Sequence, residues 1–318
     1  MSRNAWWNAK GRAADTSGGP VLVTGASSGL GRECALDLER RGFEVLAGVR
    51  RVEDGEKLLA RSSRGRLEYA IIDVTDEESV EASAEFVRSR HPGLRGLVNN
   101  AGIAVSAPLE TVDSATLRRQ LETNVVGQLA MVRAHLPHLR RSRGRIVNIT
   151  SGLGRVAIPY LGAYAAAQFA KEALSDALRR ELATSGVGVS VVQPGAIMTP
   201  IWGKISALAD DALSSAPPAV AAVYRASFTA FLKANAGAAA ESTTTPQQFA
   251  DAVARALTDS VPRTRYRVGP DARTADLLSR ILPDRLLDRR FAAVPPTREE
   301  WEKAGPVPRP DDRTPWPY

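Results

Sequence analysis

Short β-rich runs alternate with longer helical patterns along most of this chain. The strand candidates are residues 21–23, 44–47, 67–72, 96–98, 145–149 and 187–192. The helical segments between them include residues 31–41, 77–90, 115–139 and 163–182. Strand, helix and strand at this spacing indicate βαβ units, which place parallel strands in a sheet covered on both faces. Right-handed crossovers then predict a doubly wound α/β fold that binds ligands at the carboxyl ends of its strands.

The pattern continues in the second half of the chain. Thr245, Pro246 and Gln248 stand where a helix cap, a first-turn proline and a capping-box glutamine belong, which predicts a helix to about residue 259. Residues 265–268 are a seventh strand candidate. Between residues 200 and 244, alanines and apolar residues at helical spacing predict a helical segment.

Length and composition fit one large domain. The chain has 318 residues, 44% of them hydrophobic and 24% charged, so its core is large enough to fold without disulfides or a metal ion. We expect a leader at residues 1–19, a single folded domain at residues 20–293 and a proline-rich tail at residues 294–318. The one cysteine, Cys34, cannot form an internal disulfide, which favours the cytoplasm.

The charge and hydropathy patterns argue against two classes of partner. The formal net charge of +7 comes from arginines spread along the chain, often beside acidic residues. A nucleic-acid-binding face instead concentrates its basic residues in a stripe. No stretch approaches the ~18 consecutive apolar residues that a membrane helix needs. We therefore expect no nucleic-acid partner and no membrane span.

A glycine-rich turn follows the first strand and opens a helix. It reads Thr-Gly-Ala-Ser-Ser-Gly-Leu-Gly over residues 24–31. Such a turn directs backbone amides and a helix N-terminus at an anion, and its glycines let a pyrophosphate approach closely. The spacing differs from the Gly-x-Gly-x-x-Gly of the commoner dinucleotide fingerprint, so this motif alone leaves a purely structural tight turn open.

Further motifs follow this turn in order along the chain. They are Asn-Asn-Ala-Gly at residues 99–102, then Asn124, Ser151 and Tyr164, then Pro-Gly-Ala-Ile-Met-Thr at residues 194–199. Together with the turn, they resemble the ordered motifs of the short-chain dehydrogenase/reductase family over roughly residues 20–269. The resemblance implies a Rossmann-like sheet of about seven strands, helices on both faces, a helical substrate lid and an oxidoreductase that uses a nicotinamide cofactor.

The resemblance assigns most of the motif residues to the cofactor. Asp73 would bond the adenine, residues 100–102 would line the adenosine side, and Ile197 and Thr199 would hold the nicotinamide carboxamide. The implied cofactor-binding residues are Gly25, Ser27, Ser28, Gly29, Leu30, Gly31, Arg50, Asp73, Val74, Asn100, Ala101, Gly102, Tyr164, Gln168, Pro194, Gly195, Ile197 and Thr199. For Asp73 alone, a local helix-capping role is an equally good interpretation.

The residues after the second strand favour NADP(H) over NAD(H). Family members that bind NAD carry an acid there for the ribose 2′-hydroxyl, whereas this chain has Val49, followed by Arg50 and Arg51. The planar guanidinium of Arg50 suits a ribose 2′-phosphate, because it forms charge-assisted hydrogen bonds to phosphate oxygens. Two arginines on an exposed loop are the alternative interpretation.

Three residues match the family's catalytic positions. Tyr164 would pass a proton to or from the substrate oxygen while a hydride moves at the adjacent carbon. Ser151 would stabilise that oxygen as its charge changes. Asn124 would kink its helix and hold a water molecule of the proton relay. Taken singly, Ser151 could cap a turn and Tyr164 could be a core aromatic, but their combination favours catalysis.

One catalytic position departs from the family. Its tyrosine is followed four residues later by a lysine that bonds the nicotinamide ribose and lowers the tyrosine pKa, but this chain has Gln168 there. Gln168 can bond a ribose, yet it is neutral. Loss of a neighbouring charge shifts a pKa by about 1–3 units, which slows proton transfer by about tenfold to a thousandfold. Lys171 lies seven residues after Tyr164, about 10 Å along nearly the same helix face, and its side chain either leans back toward the ribose or is solvated beside acids.

Three functions follow from this departure. The first is an NADP(H)-dependent oxidoreductase that interconverts a hydrophobic ketone or aldehyde and an alcohol. In that enzyme, Gln168→Lys should raise turnover. The second is a repurposed enzyme that catalyses a non-redox reaction such as cyclisation, dehydration or isomerisation. The third is a cofactor-binding regulatory protein. We favour the first, because the other catalytic and cofactor positions match the family.

The resemblance also gives expectations for the substrate and the assembly. Residues 200–244 follow the last cofactor motif, where the family has its substrate lid. Trp202, Tyr224, Phe228 and Phe231 would line an apolar site for a hydrophobic small molecule, or they pack the lid on the body. The overall pattern resembles members that act on steroid-like or retinol-like substrates. In the family, the helices corresponding to residues 115–139 and 163–182 form a subunit interface, which implies a homodimer or homotetramer.

Overall fold

The computed structural model describes residues 18–200, 202, 212–292 and 298. Its strands are β1 (Pro20–Val23), β2 (Glu44–Val49), β3 (Leu67–Ile71), β4 (Gly96–Asn99), β5 (Arg145–Ile149), β6 (Gly188–Pro194) and β7 (Arg265–Val268). They form one sheet in the order β3-β2-β1-β4-β5-β6-β7, and every neighbouring pair is parallel. The predicted doubly wound α/β fold is confirmed.

Helices alternate with the strands. Those of the described residues are α1 (Gly29–Arg40), α2 (Val52–Leu59), α3 (Glu77–Arg90), α4 (Ser114–Leu121), α5 (Gly127–Ser142), α6 (Gly162–Glu181), α7 (Pro218–Ala240), α8 (Pro246–Thr258), α9 (Pro270–Ile281) and α10 (Asp284–Arg290). The predicted helix at residues 115–139 is divided into α4 and α5 by a π-helical turn, Glu122–Val126. The capping box is confirmed, because Thr245 and Gln248 each accept the other's backbone N–H at the start of α8.

The sheet has a hydrophobic core on each face. The side chains of Val21 and Val23 pack against α1 and α8, whereas Leu22 packs against α3 and α5. All three are fully buried, as expected for a central strand whose successive side chains point to opposite faces. Burial of each such side chain contributes about 1.5–3 kcal/mol to the free energy of unfolding.

The strand order reverses between β1 and β4. The chain first builds outward from β1 to β3, then returns to place β4 on the other side of β1. In a doubly wound sheet this reversal opens a crevice outside the carboxyl ends of the strands. The glycine-rich turn, Asn100 and Ser151 follow β1, β4 and β5 there, so residues distant in sequence meet at one edge.

Two predicted segments lie mostly outside the described residues. These are the leader at residues 1–19, of which residues 18 and 19 are described, and the tail at residues 294–318, of which Arg298 is described. The lid is described at residues 200, 202 and 212–244, most of it as α7. In the described part of the chain, no helix is both long enough and apolar enough to span a membrane.

Candidate active site

A cavity of about 790 Å³ opens at the carboxyl ends of the strands. It is lined by every residue that the sequence places in the cofactor and catalytic sites, including Gly25 of the glycine-rich turn and Thr199 of the motif after β6. Asn124 lies against Gly102, and Tyr164 forms hydrogen bonds with Ser151 and Gln168. The predicted site residues are therefore brought into one continuous surface.

The glycine-rich turn has a backbone that other residues disfavour. Gly25 and Gly29 have φ angles of +65° and +55°, in the left-handed region that glycine adopts without strain. At Gly31, a Cβ atom would lie 2.3 Å from the carbonyl oxygen of Gly25 and 2.3 Å from Nδ2 of Asn100. The turn thus leaves a concave, backbone-lined surface at the N-terminus of α1, which suits a pyrophosphate.

Thr24 ties this turn to the loop after β4, and sequence reasoning did not single it out. Its buried Oγ1 accepts hydrogen bonds from the backbone N–H groups of Asn100 and Ala101, both at 3.0 Å. The Asn100 side chain donates in return to the carbonyl oxygens of Thr24 and Gly25, at 3.0 and 3.2 Å. These bonds fix the two cofactor motifs relative to each other.

Asp73 and Arg50 lie near each other at one end of the cavity. Asp73 Oδ1 accepts from the backbone N–H and the hydroxyl of Thr75, at 3.0 and 2.7 Å, and the residue lines the cavity. The helix-capping interpretation is wrong, because the N-cap of α3 is Asp76 and the side-chain bonds of Asp73 stay within the loop before it. Burial acts to raise the pKa of Asp73, but the Thr75 bonds and the charge of Arg50 outweigh it and lower the pKa. Arg50 is exposed at the rim, whereas Arg51 does not line the cavity.

Tyr164 lies in the first turn of α6, opposite the end of β5. Burial of the phenol raises its pKa above the ordinary value, and hydrogen bonds with Ser151 and Gln168 partly offset that rise. The Ser151 hydroxyl oxygen also accepts from the backbone N–H of Leu153 at 3.2 Å, which orients it at the start of a short 3₁₀ turn. A protonated phenol and an oriented hydroxyl therefore face one part of the cavity.

Asn124 occupies the middle of the π-helical turn. Its Oδ1 accepts from the backbone N–H of Ile103 at 2.9 Å, and its Nδ2 donates to the Ile103 carbonyl oxygen at 3.0 Å. The predicted distortion of the helix at Asn124 is confirmed, and the side chain holds the loop that follows β4. Gln120, one turn earlier, supports the same loop at Ile103 and Val105.

Gln168 provides a test of whether a nicotinamide ribose fits the site. Its side chain is 3% exposed and lines the cavity, and its Oε1 has no hydrogen-bond partner among the described residues. Its amide N–H group is therefore the partner of Tyr164. A buried carbonyl oxygen without a donor is costly, and a ribose hydroxyl would satisfy it. The glycine surface and this oxygen both fit a dinucleotide.

Two charged residues of α6 are buried below the site. Lys171 is 2% exposed, lines the cavity and donates from Nζ to the carbonyl oxygen of Ile149. The prediction of a solvated lysine is wrong for this reason. Burial lowers the pKa of Lys171 to about 8, against an opposing effect of Glu172. The Glu172 carboxylate accepts from Thr150 and from Arg265, each at 2.8 Å.

The rest of the cavity wall is mostly apolar, with a few polar groups. The apolar residues are Leu153, Val156, Ile158, Leu161 and Trp202, and the polar ones include Asn235 and Asp271. The prediction that aromatic residues line this part is right for Trp202 and wrong for Tyr224, Phe228 and Phe231. Phe228 and Phe231 instead pack α7 against the ring of Tyr160, with centroids 5.0 and 5.2 Å away.

Comparison with known proteins identifies the family to which the chain belongs. The model of the family described as short chain dehydrogenase matches residues 20–209. A 3-amino-tetrahydro-pyrrolizinone reductase of Xenorhabdus hominickii is 43% identical over 285 residues, which cover 89% of this chain and 98% of that protein. The chain therefore belongs to the short-chain dehydrogenase family, and its seven-stranded sheet is the Rossmann-like fold of that family.

Two further relatives show how widely this similarity extends. Retinol dehydrogenase 5 of Mus musculus is 37% identical over 279 residues, which cover 84% of this chain and 86% of that protein. A crystal structure of a short chain dehydrogenase from Burkholderia cenocepacia in complex with NADP has a TM-score of 0.66 and 29% identity. Its alignment covers 88% of this chain and 99% of that one. The protein is an oxidoreductase of the class that acts on CH–OH and C=O groups, with a fold that binds a nicotinamide cofactor.

Proposed function

We propose that the protein is an NADPH-dependent reductase of hydrophobic ketones or aldehydes, with Tyr164 as proton donor and Ser151 as stabiliser of the substrate oxygen. The observation that carries this proposal is the pairing of a protonated phenol and an oriented hydroxyl in one cavity with a dinucleotide-shaped glycine turn. When bound, the reduced nicotinamide supplies a hydride to the carbonyl carbon.

Tyr164 is suited to donating a proton. Its raised pKa keeps the phenol protonated at neutral pH, so a carbonyl oxygen that gains negative charge finds an acid beside it. Ser151 donates a hydrogen bond to the same oxygen as the charge develops. Both groups are held by the protein before substrate arrives, which lowers the cost of reorganisation. This arrangement favours the reductive direction.

The charge at the cavity rim supports NADPH rather than NADH. Arg50 lies at the end of β2 and its charge is felt by Asp73, at the end of the cavity where the adenosine is expected. Val49, at the position where an acid would bind a ribose 2′-hydroxyl, is 1% exposed. The Burkholderia cenocepacia relative in complex with NADP is consistent with this choice.

The apolar wall beyond Tyr164 supports a hydrophobic substrate. Leu153, Ile158 and Trp202 offer carbon surface to the part of a ketone that does not react. The named relatives include a retinol dehydrogenase and a 3-amino-tetrahydro-pyrrolizinone reductase. We therefore propose lipophilic cyclic and polyene carbonyl compounds as the first substrates to test.

The test is a coupled assay with matched tyrosine variants. Wild type, Tyr164→Phe and Tyr69→Phe are incubated with NADPH and a panel of lipophilic ketones, and cofactor absorbance and product mass are followed together. Tyr69 lies on β3 outside the cavity and serves as the control. We expect one alcohol per NADPH oxidised, and a loss of about 10²–10⁴-fold in kcat only in Tyr164→Phe. Equal turnover by all three proteins would contradict the proposal.

A second candidate function is favoured by Gln168. Because a neutral amide, not a cation, is the neighbour of Tyr164 on α6, the phenol could act as an acid in a cyclisation, dehydration or isomerisation. In that case the same assay would yield a transformed substrate without cofactor oxidation. A regulatory protein that only binds the cofactor would convert none of the substrates, and Tyr164→Phe would change nothing.

We also propose that the protein is cytoplasmic and forms a homodimer or homotetramer. Val126 and Phe169 support the assembly, because 49% and 45% of their surfaces are exposed on the α4–α5 segment and on α6. Exposed apolar side chains on two long helices suit a subunit interface. Analytical ultracentrifugation of wild type and Phe169→Glu tests this, and we expect the variant to dissociate.

A further inference from the structure

Lys171 is a buried cation without a structural explanation. Within the described part of the chain it forms no ion pair, because the neighbouring Glu172 pairs with Arg265 at 2.8 Å and with Arg155 at 3.8 Å. Its hydrogen bond is to a backbone carbonyl, that of Ile149. Burying an ammonium group with so little compensation is costly, and a methionine would fill similar volume without that cost.

The position of the ammonium group is informative. Ile149 ends β5, and Ser151 follows two residues later, so the charge lies at the backbone segment that carries Ser151. Side chains on a helix lean toward its N-terminus, which directs the Lys171 stem from the third turn of α6 toward Gln168 and Tyr164. Lys171 also lines the same cavity as these residues.

Gln168 and Lys171 together offer what one lysine combines elsewhere in the family. Gln168 carries an acceptor without a partner, which suits a ribose hydroxyl, but it has no charge. Lys171 carries a charge, but its ammonium group is held at the end of β5. The two tasks of ribose binding and charge are thus separated onto two residues, three positions apart on α6.

We propose that Lys171 supplies the positive charge of this active site, about one helical turn beyond position 168, where other family members carry their lysine. It acts through the electric field at the nicotinamide end of the cavity and at the Tyr164 phenol, and Gln168 keeps the ribose contact. This inference rests on the proposed function for its effect on turnover. Its effect on cofactor binding does not require any turnover.

The field has two measurable consequences. A cation near the nicotinamide disfavours the positively charged ring of NADP⁺ relative to the neutral ring of NADPH. It therefore raises the NADP⁺/NADPH ratio, that is, the dissociation constant of NADP⁺ divided by that of NADPH. It also stabilises the negative charge that develops on Tyr164 as the phenol gives up its proton, which raises kcat without changing KM for the ketone. A merely structural lysine would change both cofactor affinities alike.

The variants are Lys171→Met, Gln168→Lys, their double combination, and Lys57→Met as a control that removes one exposed positive charge far from the cavity. Dissociation constants for NADP⁺ and NADPH are measured at pH 7 by fluorescence, and kcat and KM by the coupled assay. Lys171→Met leaves in place Glu172, whose charge acts on the ammonium, and the two arginines paired with Glu172, namely Arg155 and Arg265.

We expect Lys171→Met to lower the NADP⁺/NADPH ratio of dissociation constants by about fivefold to tenfold and kcat by about tenfold. Adding Gln168→Lys to Lys171→Met should restore the ratio and kcat, because it replaces the missing charge. The increase in kcat caused by Gln168→Lys should be larger in the Lys171→Met background than in wild type. The control should match wild type. At pH 9.5 the wild-type ratio should approach that of Lys171→Met, since Lys171 has a pKa of about 8.

Two results separate this inference from the proposed function. An unchanged ratio in Lys171→Met, or no restoration by Gln168→Lys, overturns the inference even if ketone reduction is confirmed. A ratio that shifts and is restored as expected, in a protein that reduces none of the ketones, upholds the inference about charge and overturns the proposed function instead. Equal weakening of both cofactor forms identifies Lys171 as structural and also overturns the inference.

Discussion

Asn124 and Ile103 are joined by two hydrogen bonds, one at 2.9 Å from the Ile103 N–H and one at 3.0 Å to its carbonyl oxygen. The pair connects the π-helical turn between α4 and α5 to the loop that follows β4. Both residues line the cavity. Both polar groups of the Asn124 side chain therefore bind the loop that lines the site, and the π-helical turn orients the side chain toward that loop.

Asn124→Ala should reduce activity more than its effect on stability implies. Loss of the two bonds leaves the Ile103 backbone groups partly unpaired, at a cost of about 1–3 kcal/mol in the free energy of unfolding. Gln120→Ala is the matched control, because Gln120 bonds the same loop but does not line the cavity. Chemical denaturation should give similar losses, with kcat at least about tenfold lower in Asn124→Ala. Equal kcat values would show that Asn124 only supports the loop.

Arg50→Ala should weaken the use of NADPH and spare that of NADH. A charged hydrogen bond to a 2′-phosphate is worth about 1.5–3 kcal/mol, so kcat/KM with NADPH should fall about tenfold to a hundredfold. NADH has no such phosphate, and its kcat/KM should change little. Arg51→Ala is the control, since Arg51 is exposed outside the cavity. A matching loss with both cofactors would refute the assignment of Arg50.

Gly31→Ala should abolish cofactor binding, because its methyl group would lie 2.3 Å from the Gly25 carbonyl oxygen and the Asn100 side chain. Relief of that clash must distort the turn that surrounds the cofactor. Gly237→Ala in α7 is the control, since a Cβ there meets nothing within 4 Å, and it should gain up to about 1 kcal/mol from helix propensity. Titration calorimetry with NADPH measures the first effect and thermal denaturation the second.

The buried Lys171 should make stability depend on pH in a defined window. The unfolded lysine keeps its proton up to its ordinary pKa of 10.5, whereas the folded lysine loses it near a pKa of about 8. Between these values the unfolded state binds more protons, so stability rises with pH. Relative to Lys171→Met, wild type should gain up to about 3 kcal/mol between pH 8 and 10.5. A flat difference in the free energy of unfolding would show that Lys171 is not buried as described.

Local sequence patterns predicted most of the fold and the positions of the motifs. The apolar runs at β1 and β5, the turn at residues 24–31 and the capping box at Thr245 each involve neighbours in sequence, and each is found in the structure. Helical spacing identified α7, but it did not reveal which surface its aromatic residues cover. Phe228 and Phe231 pack on Tyr160, a contact made only by the tertiary fold.

The burial of Lys171 and its hydrogen-bond partner could not be predicted from neighbouring residues for the same reason. Its partner Ile149 lies 22 residues earlier, on a different element. Helix periodicity placed Lys171 on the same face as Tyr164, but burial of that face against the end of β5 depends on how α6 docks on the sheet. The acidic neighbour Glu172 suggested an ion pair, yet in the structure it is occupied by Arg265 and Arg155.

Deuterium transfer tests the central claim most directly. Wild type and Tyr164→Phe are given NADPH carrying deuterium at both C4 positions, with the best ketone from the panel, and the product is analysed by mass. Wild type should form an alcohol with one deuterium on the carbinol carbon for each cofactor oxidised, and Tyr164→Phe should form at least about a hundredfold less. A converted substrate that carries no deuterium, with the cofactor still reduced, would contradict hydride transfer as the reaction of this protein.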